Sequence, residues 1–103
     1  MAKLITTPTM GETMKRLLRS QMAEKDIEYK ELAKRLEDFG IFQNVSTLRT
    51  KVATGTMGVQ LFFYIQLAMG VRKISLEQVR DIFEDALADL GGEARASGKA
   101  PAE

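Results

Sequence analysis

The chain has 103 residues, enough for one domain but not two. Its 45% hydrophobic and 28% charged residues are globular proportions rather than disordered ones. With no cysteine and no histidine, it excludes disulfides, the usual nitrogen and sulfur metal ligands, and catalysis by Ser-His-Asp or Cys-His pairs, so no enzyme, metal or cofactor is expected.

The formal charge of +1 conceals a division. Up to Lys73 there are twelve basic and seven acidic side chains, and from Ile74 onward three basic and seven acidic. A basic working face with an acidic appendage is the reading this suggests. The N-terminus has no apolar run of signal-peptide length, and the absence of cysteine fits a reducing cytosol, so a cytoplasmic protein is expected.

In chain order, residues 1–9 read as a flexible leader. Thr9 to Glu12 matches a capping box, and Met14, Leu17, Leu18 and Met22 follow at helical spacing, which predicts a first helix from about Met10 to Lys25. Tyr29, Leu32, Ala33 and Leu36 mark a second helix that ends near Asp38, with Gly40 as its stop. Asn44 caps a third helix whose buried face is Val45, Leu48 and Val52, and Gly55 ends it.

Gly58 to Met69 reads as a fourth helix, apolar nearly all round. It is too short and too interrupted by Gln60, Tyr64 and Gln66 for a membrane span. Such a helix sits in the middle of a core or in a subunit interface. Phe62, Phe63 and Tyr64 read as core rather than as a ligand pocket, and the six methionines as adaptable packing. Ser75 to Gln78 is a second capping box. It opens a fifth helix with a stripe of Leu76, Val79, Ile82, Phe83, Ala86, Leu87 and Leu90. Residues 91–103 read as a flexible tail. The expected fold is all-α, a compact five-helix domain with a helix-turn-helix at residues 10–74 and a C-terminal helix at 75–90.

The functional signal lies in helix 2, the turn and helix 3. A short helix pair with one helix before it and an apolar helix after it is the arrangement of a helix-turn-helix DNA reader, with helix 3 in the major groove. At about 100° per residue, Thr47, Thr50 and Thr54 point away from the buried face of helix 3, with Ser46 and Lys51 on the flanks and Arg49 nearer the boundary. None of these outward residues is acidic, as a face approaching phosphates requires. Ser46, Thr47, Arg49, Thr50, Lys51 and Thr54 are therefore the candidate base-reading residues: Arg49 suits a guanine edge and the threonine methyls suit thymine. Lys15, Arg19, Lys30, Lys34 and Asn44 are the candidate phosphate contacts, which position without reading sequence.

From about Met14 to Val71 the chain resembles the lambda-repressor/Cro-like helix-turn-helix superfamily. More narrowly, it resembles an uncharacterised family of small bacterial and phage-like domains of unknown function. The residues carrying the resemblance are Tyr29 to Leu36, the turn at Gly40-Ile41, Asn44 to Gly55, and the apolar run Leu61 to Gly70. The resemblance implies that Leu32, Ala33, Leu48 and Val52 are core and that helix 3 is the recognition helix. The chain departs from the superfamily in its longer turn, which contains Ile41 and Phe42, and in having Glu28 where Ser or Thr commonly caps helix 2. The extra apolar pair either changes the docking angle or packs.

The leading expectation is a sequence-specific, double-stranded DNA-binding regulator, a cytoplasmic homodimer free of metal and membrane. Helix 5 either covers the open side of the domain or makes the two-fold interface, its acidic residues (Asp81, Glu84, Asp85, Asp89) facing away from DNA. The rival is a protein-interaction module, adaptor or antitoxin-like, on the same fold. Salt separates the two, because counterion release makes DNA binding steeply salt-dependent.

Overall fold

The computed structural model describes residues 7–91. The expected leader up to residue 6, and the expected tail from residue 92, lie outside the described residues. Five α-helices follow in order: α1 (Pro8–Lys25), α2 (Tyr29–Glu37), α3 (Val45–Thr54), α4 (Val59–Ala68) and α5 (Leu76–Leu90). No strand occurs among the described residues, and the fold is all-α as the sequence predicts.

Helix α1 begins earlier than the Thr9–Glu12 capping box implies. Thr7 is the cap, its Oγ1 accepting the Met10 amide at 3.2 Å, and Pro8 takes the first helical position, where a missing N–H costs nothing. Thr9 falls inside the first turn, buried, its Oγ1 without a hydrogen-bond partner. Glu12 reaches forward to Lys15 and Arg16 instead of back to Thr9. The two other caps read from sequence are in place. Asn44 accepts the Ser46 and Thr47 amides, and Ser75 accepts the Gln78 amide.

Three helices end in the same way. A residue with positive φ (Asp26, Gly40, Gly70) turns the chain left-handed, and the apolar residue after it (Ile27, Ile41, Val71) donates its amide five residues back. Those bonds run from Ile27 to Met22, from Ile41 to Leu36 and from Val71 to Gln66, satisfying carbonyls that a helix end otherwise leaves free. Each apolar residue then packs with the core. The longer turn between α2 and α3 follows from this motif. Ile41 seals the end of α2 and Phe42 is left 74% exposed.

The core joins α1 (Leu18, Met22), α2 (Leu32, Ala33, Leu36), α3 (Leu48, Val52) and α4 (Ile65, Ala68, Met69), with Ile27 between α1 and α2. Burying a side chain of this size stabilises by about 1.5–3 kcal/mol. Two features fasten α1 to its neighbours by other means. Gln21 and Gln66, both buried, exchange two amide hydrogen bonds at 3.0 and 2.8 Å, fixing α1 to α4. At the other end of α1 the backbone of Gly11 meets Gly55, the C-cap of α3. A Cβ on Gly55 would lie 2.4 Å from the Gly11 carbonyl oxygen, so only glycine permits this approach.

Helix α5 packs mainly along α1 and contributes one fully buried side chain, Ala86. The rest of its stripe is half-buried, except Leu76, which is 76% exposed. α4 is not apolar because it is enclosed. Val59, Phe63 and Leu67 are 69%, 53% and 58% exposed, and Phe63 corrects the expectation that the aromatic cluster is wholly core. The gap between α4 and α5 is a groove of about 750 Å³.

Candidate nucleic-acid interface

Helix α3 is held on three sides. Leu48 and Val52 are fully buried, Asn44 closes its first turn, and the Gly11–Gly55 contact fixes its last. What remains outward is Ser46, Thr47, Thr50 and Thr54, all exposed. Their hydroxyls are largely turned inward along the helix. Ser46 donates to the Asn44 side chain at 2.9 Å, Thr50 to the Ser46 carbonyl at 3.0 Å, and Thr54 to the Thr50 carbonyl at 2.8 Å. The strip therefore offers methyl groups and oxygen lone pairs, and Thr47 keeps a free hydroxyl proton.

The two cations of α3 flank this strip on opposite sides. The Arg49 guanidinium lies over the Tyr29 ring, 5.2 Å from its centroid, and borders a cleft with Lys30 and Val45 at the start of α2. A stack of this kind contributes about 0.5–1 kcal/mol at an exposed site and lowers the entropy cost of placing the guanidinium. The Tyr29 hydroxyl is buried without a partner, and the residue is half-buried. Lys51 leans the other way, half-buried, donating to the Gln43 side chain at 3.3 Å beside Ile41 and Tyr64. Gln43 is thus a partner of the face that sequence reasoning did not single out.

The candidate phosphate contacts divide. Lys30 and Lys34 are exposed on α2, and Lys30 shares the cleft of Arg49. The N-cap of α2, Glu28, makes no side-chain hydrogen bond, so the first amides of α2 have no capping acceptor. Glu28 lines the same cleft and opposes an anion there. Asn44 commits its Oδ1 to the α3 cap. Arg19 is exposed on α1. Lys15 is half-buried and already paired with Glu12 at 3.0 Å.

Glu12 is the centre of a small ion network on α1 that reaches α5. Arg16 bonds it at 2.8 Å and crosses to Asp89 of α5 at 2.7 Å. The hydrogen bond from Arg16, and then that from Lys15, hold the Glu12 carboxyl below the usual carboxylate range. Asp89, and then Glu12, push the Arg16 guanidinium up. Asp89 therefore does not simply face away with the other acids of α5, but fastens α5 to α1. Arg35 is occupied likewise, with Glu31 at 3.0 Å and the Ala68 carbonyl at the end of α4 at 3.2 Å.

Among the described residues no group of three or more Asp, Glu, His or Cys side chains is placed to hold a metal ion, and no helix is long and apolar enough to cross a membrane. A family match covers residues 11–74, described as a domain of unknown function. The chain belongs to the DUF6471 family. No curated protein and no solved structure matches it. The DUF6471 match spans nearly all of α1, all of α2, α3 and α4, and the connection up to Ile74, while α5 lies beyond it. The helix pair α2–α3, with Arg49 and the hydroxyl strip, thus belongs to the part matched by the family.

Proposed function

We propose that this DUF6471 domain binds double-stranded DNA as a small transcriptional regulator, a cytoplasmic, nucleoid-associated homodimer that places α3 in the major groove. The observation that carries the reading is the outward face of α3: a strip of Ser46, Thr47, Thr50 and Thr54 without a carboxylate, flanked by Arg49 and Lys51. The resemblance to lambda-repressor/Cro-like domains supports the same placement of α2 across the backbone and α3 in the groove. Arg49 then takes a guanine edge, the threonine methyls meet thymine methyls, and Lys30, Lys34 and Arg19 meet phosphates. With one arginine on the reading helix, specificity per subunit is modest, and a two-fold pair reading two half-sites raises it.

The test is fluorescence anisotropy of a labelled mixed-sequence duplex at about 50 and about 200 mM salt, where several phosphate contacts change affinity by orders of magnitude. Steep weakening with salt, and at least tenfold weaker binding by Arg49→Ala/Lys51→Ala, is the expected result. No binding at micromolar protein in the lower salt would sink the proposal.

A second reading, a protein-interaction module, has one observation in its favour: the exposed apolar side chains around the α4–α5 groove. Binding through that surface would change little with salt.

A further inference from the structure

Helix α5 is laid along α1, and α4 is laid on α2, so the two do not close on each other. Met10, Met14 and Leu17 of α1 line the groove between them. One wall is Val59, Phe62 and Phe63 of α4, and the other is Leu76 and Val79 of α5. No charged side chain lines it. A groove of this chemistry left in water forfeits hydrophobic stabilisation, and contiguous apolar surface of several hundred Å² marks an interaction site.

We infer that the α4–α5 groove receives a second copy of this chain, making the molecule a two-fold dimer. This deepens the proposed function by naming the surface of its homodimer, and it stands on three observations. The first is self-complementarity. The same face carries a recess and, at its edges, prominent apolar side chains: Leu76 is 76% exposed, Val59 69% and Phe63 53%. A two-fold axis sets the projections of each copy into the recess of the other, which is the requirement of an isologous interface.

The second is area. Leu76, Val59 and Phe63, the groove side chains exposed by half or more, together offer on the order of 300–400 Å². A standard interface takes about 800 Å² per partner, and in homodimers about 65% of it is apolar, or roughly 500 Å². The face therefore supplies the larger part of the apolar share of one dimer interface, and the half-buried Met14, Phe62, Ile74 and Val79 that line the groove add to it.

The third is charge. Close in sequence to the groove-lining Ile74, Leu76 and Val79 stand five exposed side chains of both signs, Arg72, Lys73, Glu77, Arg80 and Asp81, and none of the five forms an ion pair among the described residues. A rim of one sign would call for a partner of the opposite sign. A rim of both signs suits a copy of itself, each sign meeting the other across the axis. None of the outward residues Ser46, Thr47, Thr50 and Thr54 of α3 lines the groove, so pairing through it does not call on them.

The test is sedimentation velocity of the whole chain without DNA, over about 1–100 µM, beside three variants whose sites are all exposed: Phe63→Glu, Leu76→Glu and, as a control, Phe42→Glu. Circular dichroism verifies that each keeps its helices. The expected result is a species of twice the 11.5 kDa chain mass. Phe63→Glu and Leu76→Glu should weaken it at least tenfold, and Phe42→Glu, at an apolar site as exposed as Leu76 but outside the groove, should leave it unchanged. A monomer at every concentration overturns the inference, as does a dimer indifferent to both groove variants. DNA reading fails separately. A monomer that still binds duplex discards the dimer and keeps the reading, whereas a groove-dependent dimer that binds no duplex does the reverse.

Discussion

Helices α3 and α5 are both amphipathic and both pack on α1, yet they are held in different ways. α3 sends two side chains, Leu48 and Val52, into the core, and its C-terminal glycine touches the α1 backbone directly. α5 sends in only Ala86 and relies on half-buried side chains and the Arg16–Asp89 ion pair at 2.7 Å. A backbone contact tolerates no variation in distance, while a side-chain surface tolerates a good deal. The helix proposed to read DNA is thus the one held at a backbone contact, and the helix proposed to meet a second subunit is the one that packs along α1 mostly through half-buried side chains, with a groove beside it.

The sharpest way to break this contrast is at Gly55. Gly55→Ala forces a Cβ onto the Gly11 carbonyl at a residue whose φ is +67°, so α3 must shift or the contact must open. The expected loss is roughly 3 kcal/mol or more, read from urea or thermal unfolding. A variant as stable as the parent would show that the close approach is not needed. Next is the amide pair that joins α1 to the groove-forming α4. Gln66→Leu strands a buried Gln21 amide and should lower stability by about 1–3 kcal/mol, whereas Gln21→Leu/Gln66→Leu, which removes both partners, should recover most of that loss. Equal losses in the single and double variants would mean that the pair acts as packing alone.

The smallest effect concerns the fastening of α5. Glu12 is held below the usual carboxylate range by Arg16 first and Lys15 second, so its contribution is complete above the carboxyl's ordinary titration and disappears as pH falls through the depressed value. Between about pH 5 and pH 3, the melting temperature of the parent should fall further than that of Glu12→Gln, the two converging in acid. Parallel pH profiles would mean that the ion pairs of Glu12 with Lys15 and Arg16 add nothing to stability.

Much of this architecture is legible in the residues. Five helices, the Asn44 and Ser75 caps, the Gly40 and Gly70 stops and the buried set Leu32, Ala33, Leu36, Leu48 and Val52 follow from periodicity and from the conformations that glycine and capping side chains favour, which are local properties. The outward strip of α3 follows equally, because a helix with one buried face leaves only one other. The start of α1 differs from the Thr9–Glu12 expectation for a local reason too. Two threonines compete to cap it, and Pro8 decides in favour of Thr7.

Local sequence thus specifies five helices, most of their ends and the side of α3 that stays in water. Packing of one helix on another sets the rest: Arg49 rests on Tyr29, two glutamines 45 positions apart share a buried site, and an apolar α4 is exposed along one side. Those facts depend on which helices approach which, and at what distance. Hydrophobic pattern states that a face must be covered, but the angle at which α5 crosses α1 decides whether this chain covers it alone.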